Sequence, residues 1–119
     1  MPNENFTFRE FSMANRKRCE AKDGFNHPIM SWSEADWLSA ATGELGEVAH
    51  AVKRILRVRD GLIKNSSSDL KISESLAEEV ADTVIYLDLL CQRAGIDTSE
   101  AIRKKFNQKS DQIGSSVKI

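Results

Sequence analysis

Glu44-Leu45-Gly46-Glu47 lies in the middle of a long segment with the apolar period of a helix. Glu79-Val80-Ala81-Asp82 echoes it in a second such segment. On a helix, residues three apart share one face, a turn apart. Each stretch therefore presents two carboxylates side by side. Like charges so placed are mildly unfavourable unless a cation lies between them. Two such pairs on two facing helices would enclose a site of four carboxylates. Hard oxygen donors in that number suit a divalent cation, Mg²⁺ with Mn²⁺ as a substitute.

The surroundings of both pairs decide the fold class. Around the first, Trp37, Leu38, Ala41, Leu45, Val48, Ala49, Val52, Ile55 and Leu56 recur every three or four residues, which predicts a helix over 33–60. Ser33 with Asp36 has capping-box spacing, and Gly61 is a stop signal. Gly46 in mid-helix costs about 1 kcal/mol relative to alanine. A neighbouring helix or a ligand pressed against it is the natural compensation. Around the second pair, Leu76, Val80, Val84, Leu87 and Cys91, widened by Ile85, Leu89 and Leu90, predict a helix over 70–94. It is apolar so far round that burial on more than one side is expected. A first helix is expected over 7–22, capped by Thr7 and Glu10 and ended by Gly24. A loop over 25–32 is broken by Pro28, and a flexible link over 62–69 contains Asn65-Ser66-Ser67-Ser68. Asp97 and Glu100 open a fourth helix over 98–112, and residues 114–119 form an irregular tail. The expectation is an all-α, four-helix bundle-like protomer, one domain over 1–119 with its core in 7–113. The flat apolar faces of such helices predict oligomerisation.

The whole chain narrows the function. It has 119 residues, 40% hydrophobic and 29% charged, so it reads as globular. A net charge of -1 leaves no electrostatic footprint for nucleic acid. No run of about 18 apolar residues predicts a membrane span. The start, Met1-Pro2-Asn3-Glu4-Asn5, is polar and acidic and does not read as a signal peptide. Cys19 and Cys91 lie far apart with no motif spacing, and Cys91, on an apolar helix face, reads as a buried reduced thiol. A cytoplasmic location is the expectation.

Glutamate pairs on helices are common and usually solvated. A di-iron carboxylate bundle needs Glu-x-x-His on two helices. Only Glu47-Val48-Ala49-His50 supplies one, which disfavours it. His50 then reads as a surface or interface residue, and His27 as structural or as part of a mouth. Lys104, Lys105 and Lys109 on the fourth helix read either as a solvated basic face or as contacts to substrate phosphates. Trp32, Trp37, Phe25 and Tyr86 are core or the wall of a planar ligand's pocket. Tyr86 follows Asp82 by one helical turn.

The ordered set of Glu-x-x-Glu, Glu-x-x-Asp and a helix containing lysine and asparagine resembles the MazG-like all-α nucleoside triphosphate pyrophosphohydrolases. The matching stretches are Thr42-Gly43-Glu44-Leu45-Gly46-Glu47-Val48-Ala49, Leu76-Ala77-Glu78-Glu79-Val80-Ala81-Asp82-Thr83-Val84-Ile85-Tyr86-Leu87 and Lys105-Phe106-Asn107. The resemblance spans about residues 30–113. It implies a helical bundle that assembles as a dimer or a dimer of dimers and hydrolyses nucleoside triphosphates, dNTPs among them, to the monophosphate and pyrophosphate. It implies Glu44, Glu47, Glu79 and Asp82 as Mg²⁺ ligands and catalytic carboxylates. It implies phosphate contacts from Lys105 and Asn107, with Lys109 beside them, and sugar or base contacts from Tyr86 and Trp32. Two positions depart from the family pattern. Many relatives carry asparagine four residues after the lysine, where this chain has Lys109. The position seven after Glu47, aromatic in some dCTP-preferring relatives, is Arg54. The rival from another class is a non-catalytic helical oligomer whose acidic face recognises a partner.

Overall fold

A computed structural model describes residues 4–64 and 69–119, with side chains at 4–64 and 74–119. Local chemistry starts the helices. The Thr7 hydroxyl accepts the Glu10 N–H at 3.1 Å and the Glu10 carboxylate accepts the Thr7 N–H at 2.7 Å. This capping box opens α1 (Phe8–Glu20). Ser33 and Asp36 repeat the device and open α2 (Glu34–Arg59). After α3 (Asp69–Arg93), Asp97 accepts the Glu100 N–H and opens α4 (Thr98–Ile113). A single 3-10 turn, Ile29–Ser31, stands between α1 and α2. The described residues are all-helical, with no strand among them.

α1 is shorter than the expected 7–22. Ala21 takes extended backbone, and the chain folds back so that the Phe25 N–H reaches the Arg18 carbonyl at 3.1 Å. A Cβ on Gly24 would stand 2.0 Å from that carbonyl oxygen, so only glycine permits the turn. Glu20 secures it by accepting the Ile29 N–H at 3.0 Å. Asn65-Ser66-Ser67-Ser68 of the expected link lie outside the described residues, and α3 begins at Asp69.

The two long helices lie side by side in opposite directions. Arg93 at the end of α3 donates to the Trp32 carbonyl at 2.6 Å and pairs with Glu34 at the start of α2. The seam of α2 that meets α3 runs through buried Trp37, Ala41 and Ala51, with Glu44, Val48, Ile55 and Val58 half-buried along the same line. Trp37 anchors one end: its indole N–H donates to the Ile29 carbonyl at 3.0 Å, and Cys19, Ile29 and Leu89 pack with it. α1 and α4 lie at this end, against the C-terminal half of α3. α4 touches α1 and α3 but makes no contact with α2 among the described residues. α3 is therefore covered on more than one side there, as its apolar breadth predicts: Leu89 packs with Trp37 of α2 and Cys19 of α1, and buried Asp88 bonds to Ser12 and Asn15 of α1.

The rest of the apolar stripe on the long helices is uncovered. Leu38, Leu45, Val52 and Leu56 of α2, and Val80, Val84 and Leu87 of α3, are exposed. The radius of gyration is 17.5 Å, against about 13.5 Å for a compact domain of this length. Gly46 departs from the expectation of a close neighbour. A Cβ there would meet nothing within 4 Å, so no packing within this chain requires glycine.

Candidate metal centre

α2 and α3 present their carboxylates to each other because Glu44 and Glu79 occupy seam positions. Glu44 shares its line with Ala41, Val48 and Ala51, and Glu79 shares its line with Leu76 and Thr83. Oxygens of Glu44, Glu79 and Asp82 come within 4.8 Å of one another. Glu47 is not in that trio. It lies about 60° round α2 from Glu44 and is exposed. Its charge still reaches the cluster. The Glu79 carboxyl is pushed above its ordinary value by loss of solvent, then by the charges of Glu47, Asp82, Glu44 and Glu78. Four negative neighbours around one half-buried carboxylate form a field that a cation would relieve.

The donor set fits a small hard cation. Mg²⁺ takes oxygen ligands at about 2.1 Å, so two ligands opposite each other stand about 4.2 Å apart. Small side-chain rotations would close the trio to that span.

Tyr86 connects this cluster to an aromatic pocket. Its phenol is pushed up by burial first, then by the charges of Glu44 and Asp82. The same ring lines a pocket of about 170 Å³ together with His27, Trp32, Trp37, Phe25 and Asn15. His27 stands edge-on to Trp32, with centroids 4.4 Å apart, and Trp32 edge-on to Trp37 at 4.7 Å. Trp37 is fully buried and builds the inner wall. Trp32 is partly exposed, and its carbonyl is held by Arg93. A carboxylate cluster thus adjoins a wall suited to a flat ring.

The fourth-helix residues have other partners within this chain. The Asn107 carboxamide donates to the Ile119 carbonyl at 2.8 Å and accepts the Ile119 N–H at 3.0 Å, which folds the tail back on α4. The Lys105 ammonium lies 3.5 Å from Gln108 on the same helix. Lys109 is exposed on α4.

Sequence reasoning missed Asp88. It is 1% exposed and accepts four hydrogen bonds. Ser12 (2.8 Å) and Thr98 (2.7 Å) donate to one oxygen, Asn15 and Gln92 (both 2.9 Å) to the other. These donors are all neutral and come from α1, α3 and α4. An aspartate in the run Leu87-Asp88-Leu89-Leu90 was the available signal, since a charge in so apolar a run needs buried partners.

Set against protein-family models, curated proteins and solved structures, the chain finds no match in any of the three comparisons.

Proposed function

We propose that the chain is a Mg²⁺-dependent nucleoside triphosphate pyrophosphohydrolase of the MazG-like kind, working as a homo-oligomer. The observation that carries this reading is the meeting of Glu44, Glu79 and Asp82 beside a pocket walled by Tyr86, Trp32 and Trp37. A charged cluster and an aromatic wall in contact match the two halves of a nucleotide, its phosphates and its base.

In this reading Glu44, Glu79 and Asp82 hold the metal, with Glu47 alongside. Bound Mg²⁺ would lower the pKa of a water ligand and neutralise phosphate oxygens. The chain's own groups bind and orient. Tyr86 stands between the base and the carboxylates, and Trp32 and His27 close over the base. A glutamate of the cluster takes the proton of the attacking water, and the bond between the α- and β-phosphates breaks to give monophosphate and pyrophosphate. Lys105, Asn107 and Lys109 serve phosphates if a second copy brings its α4 to this site. Asn107 must then release Ile119.

The exposed line on α2 and α3 supports assembly through a second copy. Leu38, Leu45 and Val52 are spaced by seven, as residues at a helix-to-helix seam are. Val80, Val84 and Leu87 continue the apolar surface, which exceeds scattered single residues.

The test is pyrophosphate release from a panel of dNTPs and NTPs with Mg²⁺, for the parent chain and for Glu44→Gln and Asp82→Asn. Turnover that needs Mg²⁺ and is lost in both variants, with helix content retained, is the expected result. No release from any nucleotide would favour the non-catalytic oligomer.

A further inference from the structure

α1, the last turn of α3 and the α3–α4 turn border a second cavity, open to solvent, of about 570 Å³ against about 170 Å³ for the aromatic pocket. None of Glu44, Glu79 and Asp82 lines it. Arg9, Met13 and Arg16 stand on one face of α1 with Lys17 beside them, and all four border the cavity. Asp97 supplies the only carboxylate among its described lining residues, so the wall carries a surplus of two positive charges. The ion pairs there are loose. Arg9–Asp97 (2.8 Å) and Arg16–Glu20 (3.1 Å) join side chains that are mostly around half exposed, and such pairs hold weakly. Lys17 has no ion-pair partner among the described residues. Nor does buried Asp88 account for these cations, because four neutral donors already satisfy it. The floor is preset: Gln92 is fixed by bonds to Ser12 and Asp88. Exposed Met13 and Ile96 add an apolar side.

We propose that this cavity binds a small phosphate-bearing molecule with an apolar portion, independently of the carboxylate cluster. Two guanidinium forks and an ammonium match the oxygens and the charge of a phosphate monoester. Met13 and Ile96 would cover the organic part. A long polyanion fits less well, since Asp97 in the wall and Glu20, paired with Arg16, would repel a chain running past.

The experiment titrates the full chain with inorganic phosphate and with phenyl phosphate, in EDTA at low salt, following backbone amide NMR signals. Shifts gathered at residues 9–17 and 92–97 are expected, with phenyl phosphate binding at least threefold more tightly than phosphate. Arg16→Gln combined with Lys17→Gln should weaken phenyl phosphate at least tenfold at unchanged helix content, while Glu79→Gln leaves it unchanged. Shifts elsewhere, or affinity indifferent to the double variant, overturn the proposal. So does binding of a single-stranded oligonucleotide when neither phosphate binds.

Discussion

Glu44 on α2 and Glu79 on α3 bring carboxylate oxygens within 4.8 Å of each other across the seam of the two longest helices. Neither joins an ion pair among the described residues, and the charges that shift Glu79 are all negative. The metal-free fold therefore carries repulsion at its centre. Glu79→Gln removes one charge and keeps the shape. Its melting temperature in EDTA should rise above the parent's, while the upward shift given by Mg²⁺ should shrink or vanish. A melting temperature that falls in EDTA would contradict the repulsion.

The same repulsion fixes a pH dependence. Glu79 binds its proton more readily folded than unfolded. Its contribution is fully present below the free glutamate value of about 4.3 and is lost as pH rises through its raised folded value. Glu20, Asp36 and Asp97 act oppositely. Their carboxyls are held low, chiefly by the backbone N–H groups of Ile29, Ser33 and Glu100. Their stabilisation is present above the free carboxylate range and is lost as pH falls through their lowered values. Metal-free protein should thus melt highest at mildly acid pH, with a decline on both sides. Mg²⁺ at neutral pH should flatten the alkaline decline. Thermal melts from pH 3 to 8, with EDTA and with Mg²⁺, read both effects.

Asp88 gives a graded prediction. Asp88→Leu would leave one Asn15 amide N–H and the hydroxyls of Ser12 and Thr98 without their acceptor, at a cost of about 3–5 kcal/mol. Asp88→Asn keeps one acceptor for the amides of Asn15 and Gln92, and the hydroxyls of Ser12 and Thr98 can turn to accept from its new amide. It should cost about 1–2 kcal/mol. Urea unfolding of both variants tests the order. Equal losses would mean that the carboxylate's charge, not its pattern of acceptors, holds the three helices.

These contrasts show what a sequence can reveal here. The caps at Thr7/Glu10, Ser33/Asp36 and Asp97/Glu100 were legible because each partner is three residues away and the chemistry is local. Glu44 and Glu79 were legible as members of two acidic pairs on helices that could face each other. Their companions on the same turns divide differently: Asp82 joins the trio and Glu47 stays at its edge, which depends on how the helices are rotated against each other. Asp88 was hidden because Ser12 and Asn15 come from 76 and 73 residues away, and periodicity does not name such partners. Gly46 was read as a point of close approach, yet the space beside it is open within this chain. The aromatic pocket is built from a loop, α1, α2 and α3, and only folding brings His27 to Trp32.

The uncovered line on α2 carries the last prediction. Leu45 and Leu56 are 56% and 40% exposed, on the side of α2 away from Glu47. Burying a leucine stabilises by about 1.5–3 kcal/mol, and each 1.4 kcal/mol is tenfold in an association constant. In a twofold assembly every substitution counts twice, once on each copy. Leu45→Arg should therefore weaken self-association at least tenfold, and Leu45→Arg with Val52→Arg should leave single protomers in sedimentation at micromolar concentration. Helix content should hold, because neither side chain belongs to the buried seam. If the parent already sediments as a single protomer, this face does not join two copies. If the double variant remains assembled, the contact between copies lies elsewhere on the chain.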